Sequence, residues 1–160
     1  MELVIAKRNE HALFARGAYE VGASHYPFII VLHVGFFMSL FIEVMYYKQF
    51  AITHLFLFIL FFMIQLLRIW CVASLGEFWN TKIIVLKGAK VVVKGPYRYV
   101  RHPYYVVGCL EILLLPAMFG ADFTAVLFTL LNLWMLLVRI PIEEEALNYA
   151  TNYADVMYKN

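Results

Sequence analysis

Eleven consecutive residues, Gly95-Pro-Tyr-Arg-Tyr-Val-Arg-His-Pro-Tyr-Tyr105, bring together two arginines, a histidine, two prolines and four tyrosines. They stand at the head of an apolar run that reaches Phe119. Ionisable groups beside lipid are costly unless solvated, paired or put to use. The cluster therefore either anchors headgroups or binds a charged molecule next to a lipid. One apolar hairpin later comes Arg139-Ile-Pro-Ile-Glu-Glu-Glu145, which has two readings. Proline suits the first turn of a helix, and acids there complement the helix dipole. Equally, Arg139 and Glu143 are four apart, a helix-face spacing, and carboxylates beside an arginine make a site for a zwitterionic or cationic ligand. The tyrosines that follow, Tyr149, Tyr153 and Tyr158, read as an interfacial aromatic belt.

The elements that must position these groups belong in a membrane. The chain is 64% hydrophobic and 15% charged over 160 residues, with mean hydropathy +0.76; soluble domains run at about 45–50% apolar and about 25% charged. The length fits one domain over residues 1–160, with residues 1–75 ahead of a core at 76–160. A formal charge of +2 gives no argument for nucleic acid. Cys71 and Cys109 lie in apolar runs without metal-ligand spacing, so they read as buried thiols and no metal is expected. Met1 to Tyr26 lacks the basic-then-apolar opening of a cleavable signal.

Four apolar runs follow: Pro27–Tyr47, Ala51–Leu75, Tyr104–Phe119 and Phe123–Ile140. A crossing helix takes roughly 17–25 residues. The first two are long enough and, with a tight turn between them, are expected to pair antiparallel. The third is short and holds Pro116, so it tilts, kinks or reaches part way. Pro141 is expected to end the fourth run and open a C-terminal helix. Lys82, Lys87, Lys90, Lys94, Arg98 and Arg101 share the one long loop. By the positive-inside bias this loop and both termini face the cytoplasm, with four crossings. Lys82 to Lys94 reads as a small hairpin turning at Lys87-Gly88-Ala89, and Met1 to Ser24 as an interfacial helix. The fold class is thus an all-α integral membrane protein, with no GxGxxG turn and no Rossmann fold. Arg68 lies seven residues before the end of its run and Glu111 seven after the start of its own. Both come roughly 10 Å deep from one face, where they pair across one cavity unless Arg68 snorkels and Glu111 is neutral. His33, His54, Gln65 and Asn132 are expected as interhelical hydrogen-bond partners, and Glu43, near the opposite end, is given no role.

The two clusters together, Gly95 to Tyr105 and Arg139-Ile-Pro-Ile-Glu143-Glu144 flanking a helical hairpin, resemble the isoprenylcysteine carboxyl methyltransferase family and its phospholipid N-methyltransferase relatives. The resemblance covers roughly Gly76 to Asn160. One departure is that Gly108 comes three residues after Tyr105, where many relatives place a glycine two after. The resemblance implies that membrane helices and the C-terminal helix enclose S-adenosylmethionine. It implies His102, Pro103 and Tyr105 at the cofactor with the backbone of Gly95, Pro96 and Tyr97 close by, and Glu143, Glu144 and Arg139 as the functional acids and arginine. The implied acceptor is a lipophilic molecule or lipid entering from the bilayer, isoprenylcysteine-like or long-chain alkyl polyketide-like.

The residues suit that chemistry. A sulfonium with an amino-acid zwitterion wants carboxylates, aromatic faces and donors, and in-line methyl transfer is mostly positioning. A carboxylate or acidic hydroxyl acceptor needs an arginine to hold it, whereas an amine needs a base. Two other classes share some features. Sterol reductases that bind NADPH carry a similar Arg-His-Pro-x-Tyr region but have more spans. A non-catalytic membrane subunit would use the basic loop on anionic lipid.

Overall fold

A computed structural model describes residues 2–47 and 55–157. Helix α1 (Glu2–Ala15) is followed by strand β1 (Tyr19–Val21), then by α2 (Tyr26–Tyr47) and α3 (Leu55–Leu75). Strand β2 (Ile83–Val85) and a 3₁₀ turn at Gly95–Arg98 lead into α4 (Pro103–Met118), α5 (Asp122–Ala150) and α6 (Tyr153–Met157). Helices α2, α3 and α5 are long and apolar enough to cross a membrane. Helix α4, with 16 residues, spans about 24 Å at 1.5 Å per residue and falls short of the hydrocarbon thickness. The turn between α2 and α3, with His54, lies outside the described residues.

Helix partners are chosen by polar contacts, which are scarce and directional where surroundings are apolar. Among the described residues α2 packs on α5 rather than on α3, against the expected α2–α3 pair. Glu43 on α2 accepts from the backbone N–H of Phe123 (3.1 Å) and Thr124 (2.8 Å), and Ser39 bonds the Thr124 hydroxyl at 2.7 Å. Those contacts fasten α2 to the opening of α5, whose first N–H groups have no partner inside their own helix. Below them Phe36, Ile112 and Phe128 form a buried cluster. Helix α3 packs instead on α4, through Ile64, Cys71, Val107 and Leu114.

Two further expectations give way. Pro141 does not end a helix: α5 continues through it to Ala150. The stretch beyond is held by burial, since Ala146 and Ala150 pack on Ile83 and Val85, and packing outweighs one missing hydrogen bond. The hairpin at Lys82–Lys94 is also absent. Strand β2 pairs antiparallel with β1, Tyr19 opposite Val85, and the Val91–Val93 run carries no strand. Gly88, at φ 76°, turns its N–H onto the Ala150 carbonyl (2.8 Å). That bond satisfies one of the orphan carbonyls at the end of α5.

Candidate functional site

The loop between α3 and α4 is drawn down onto α3 at Gly95. This residue has φ 54°, and a Cβ there would lie 2.8 Å from Trp70 Nε1 and closer still to Ser74 Oγ. Only glycine fits both the left-handed backbone and that approach. Pro96, buried, sits at the start of the 3₁₀ turn, and Pro103, also buried, is the first residue of α4. A proline is well placed there because its missing N–H would find no partner in any case. These three residues shape the wall and do not face the cavity. Tyr97 packs against Cys71 and Val107; its hydroxyl has no hydrogen-bond partner among the described residues, and burial pushes its pKa well above the ordinary tyrosine value.

Between α1, α2, α4, α5 and this loop lies a cavity of about 600 Å³, a size that suits a small-molecule site. Tyr97, His102, Tyr105, Arg139 and Glu143 line its polar end, while the other end is mostly apolar, with Ile30, Val34 and Phe37 of α2 and Ile112 of α4 beside His33 and Asn132. Consecutive tyrosines at the start of α4 address two different clusters. Tyr105 faces α5: its hydroxyl donates to Glu143 and accepts from Arg139 Nε at 2.8 Å. Arg139 spends another donor on the Thr81 carbonyl (2.7 Å), and its guanidinium lies over the Tyr105 ring. Among the described residues neither Arg139 nor Glu143 has an ion-pair partner. A guanidinium and a carboxylate, bridged by one phenol, are thus left to act on whatever fills the cavity.

His102 stacks on Tyr105, and its Nε2 lies 3.0 Å from Glu144 Oε1. A carboxylate only accepts, so this nitrogen carries the proton. Tyr153 donates to the same carboxylate oxygen (3.3 Å). Glu144 therefore stands behind His102 and fixes its tautomer, outside the cavity lining. Tyr153 departs from the aromatic-belt expectation, being 2% exposed; Tyr149 is exposed, and Tyr158 lies outside the described residues.

Tyr104 faces the other way, toward α3 and α1. Arg68 donates to Glu111, to the Tyr104 hydroxyl (2.9 Å) and, from Nε and Nη2, to both oxygens of Glu2 (2.6 and 2.5 Å). Gln65 completes Glu111 at 2.8 Å. The expected Arg68–Glu111 pair forms; the share taken by Glu2 had no local signal, since it comes from the first turn of α1. Gln65 and Asn132 bond between helices, the latter to Cys109 Sγ. His33 instead bonds Ile29 within its own helix.

A family model described as the isoprenylcysteine carboxyl methyltransferase (ICMT) family matches residues 55–149. An "Uncharacterized protein YpbQ" of Bacillus subtilis is 44% identical over 147 residues, covering 91% of this chain and 88% of that one. An "Uncharacterized protein" of Haemophilus influenzae is 32% identical over 152 residues, covering 92% and 87%. No solved structure gives a significant match.

Proposed function

The chain belongs to the isoprenylcysteine carboxyl methyltransferase family, and we propose that it transfers a methyl group from S-adenosylmethionine to a carboxylate or acidic hydroxyl of a lipophilic acceptor. The observation that carries this reading is the Arg139–Tyr105–Glu143 chain opening on a cavity whose far end is mostly apolar.

The residues present fit the cofactor. Bound there, it would supply an electrophilic methyl on a positively charged sulfur beside an amino-acid zwitterion. Glu143, bonded to the Tyr105 hydroxyl but in no ion pair among the described residues, offers its charge to a cation, and the Tyr105 and His102 rings offer faces that favour positive charge. Glu144 and Tyr153 hold the imidazole still, so His102 keeps one donor orientation. Arg139 holds an acceptor oxygen by its remaining N–H groups; its planar fork suits a carboxylate. An acceptor already ionised needs no base, so the protein's contribution is alignment and exclusion of water. Ile30, Val34 and Phe37 of α2 receive the acceptor's apolar chain from the lipid side. With the basic loop on the cytoplasmic face, the polar end of the cavity meets the cofactor in the aqueous phase.

N-methylation of a phospholipid amine is the second reading, and Glu143 favours it as a group able to take a proton. Comparing lipids from cells with and without the gene separates the two. A new species heavier by one methyl on an acidic lipid supports O-methylation, and a methylated amine headgroup supports the alternative. Identical lipid profiles count against both.

A further inference from the structure

Between Phe78 and Leu110 the sequence has no aspartate or glutamate, and it has six basic residues. Two of these are engaged: Lys82 with Glu10 and Glu20, and Arg101 near Glu144. The other four, Lys87, Lys90, Lys94 and Arg98, are exposed and have no acidic partner among the described residues. Interleaved with them are exposed apolar groups, Val93 at 42%, Tyr99 at 78% and Val100 at 47%. A water-facing loop gains nothing from such side chains, whereas a surface lying on a bilayer uses both kinds: cations for headgroups, aromatic and aliphatic tips for the zone beneath.

Packing fixes the height of the strip's C-terminal end, Gly95 to Val100, in the bilayer. Gly95 is wedged against Trp70 and Ser74 in the last turns of α3, and Tyr97 packs on Cys71 of the same helix. The 3₁₀ turn that carries Arg98, and Tyr99 and Val100 just after it, therefore lie level with the end of a membrane helix, where headgroups are. Charge and height together select one partner.

We infer that the strip from Lys87 to Val100 is a docking surface for anionic phospholipid headgroups of the leaflet onto which the cavity faces. Because Arg98 follows Tyr97 directly and Val100 stands two residues ahead of His102, headgroups bound there brace one wall of the cavity. This inference stands whether or not the protein transfers methyl groups.

The test uses the purified full chain in phosphatidylcholine bilayers with a trace of spin-labelled lipid, reading by electron paramagnetic resonance the fraction held at the protein surface. Spin-labelled phosphatidylglycerol should associate about threefold more strongly than spin-labelled phosphatidylcholine at low salt. The preference should fall to about one in 1 M salt, where the screening length is about 3 Å. Replacing Lys87, Lys90, Lys94 and Arg98 together by Gln should abolish it, while Lys→Arg at the three lysines should keep it. Equal association of the two lipids with the wild type at low salt overturns the inference, and so does a preference that survives in the Gln variant. Should that variant fail to fold, the salt series on the wild type decides: a preference unchanged at 1 M is equally fatal.

Discussion

Replacing Arg68 by Met tests the polar network at the membrane edge. The substitution keeps length and apolar bulk but strands Glu111, whose side chain is only 14% exposed, with Gln65 as its one remaining partner. Removing one member of a buried ion pair costs about 3–5 kcal/mol, because the survivor is left charged and unpaired. Arg68 is 28% exposed and Glu2 34%, so water already screens part of the network, and Glu2 can turn outward. The expected loss is therefore about 2–3 kcal/mol. In a chain of this size about 1 kcal/mol moves the midpoint by about 2–4 °C, so Arg68→Met should lower it by about 4–12 °C. The assay is thermal unfolding in one detergent at one heating rate, since irreversible unfolding makes the midpoint scan-dependent. The double variant Arg68→Met, Glu111→Leu leaves no buried charge and should recover most of the loss, giving a positive coupling in the double-mutant cycle. An Arg68→Met midpoint at or above wild type refutes the reasoning, as does a double variant worse than the single one.

Four other outcomes follow from the same structure. Tyr105→Phe removes the phenol between Arg139 and Glu143 and should slow methyl transfer by about 10–100-fold, with little change in the unfolding midpoint. Gly95→Ala should destabilise by about 1–3 kcal/mol, from the left-handed backbone and the clash with Trp70 and Ser74, read as a lower midpoint. Glu43→Ala should cost about 1–2 kcal/mol by leaving the first N–H groups of α5 without their carboxylate; Glu43→Gln should recover part of it. Folding raises the pKa of Lys82, chiefly through its hydrogen bond to Glu10; burial, next in size, lowers it, and the hydrogen bond to Glu20 adds a smaller rise. Its stabilising contribution is therefore complete below the ordinary lysine value and fades as pH climbs through the raised one. A Lys82→Met variant should lose that part of the alkaline fall in stability, as a pH series of unfolding midpoints would show.

What the sequence revealed and what it concealed divide by the range of the signal. Apolar run length located α2, the end of α3 and the start of α5 to within a few residues, because lipid imposes it on each helix separately. Depth counting paired Arg68 with Glu111 for the same reason: both are measured from one membrane face. The misses are all long-range. The run of β-branched residues marked Ile83–Val85 as extended, but its partner came from Tyr19–Val21, far away in the chain, rather than from the neighbouring valines. Pro141 is a helix breaker in isolation; burial of Ala146 and Ala150 on β2 carries α5 through it. Glu43 showed no role because the N–H groups it caps belong to another helix. In the candidate site, the family resemblance picked out Tyr97, His102, Tyr105, Arg139 and Glu143, which line one cavity, and Glu144, which stands outside its lining. It could not show that Gly95, Pro96 and Pro103 shape its wall, nor that Tyr153 would lie buried behind His102.

The central claim is tested most directly by incubating the purified protein with S-adenosylmethionine labelled in its methyl group and a lipid extract from its own cells. Label is expected in the organic phase on an acceptor oxygen, lost to mild alkaline hydrolysis where the product is an ester and kept where it is the ether of an acidic hydroxyl, and absent with an Arg139→Ala variant that still folds. Label in an alkali-stable amine headgroup would contradict the choice of acceptor. No binding of the cofactor and no transfer by a folded wild-type protein would contradict the methyltransferase reading itself.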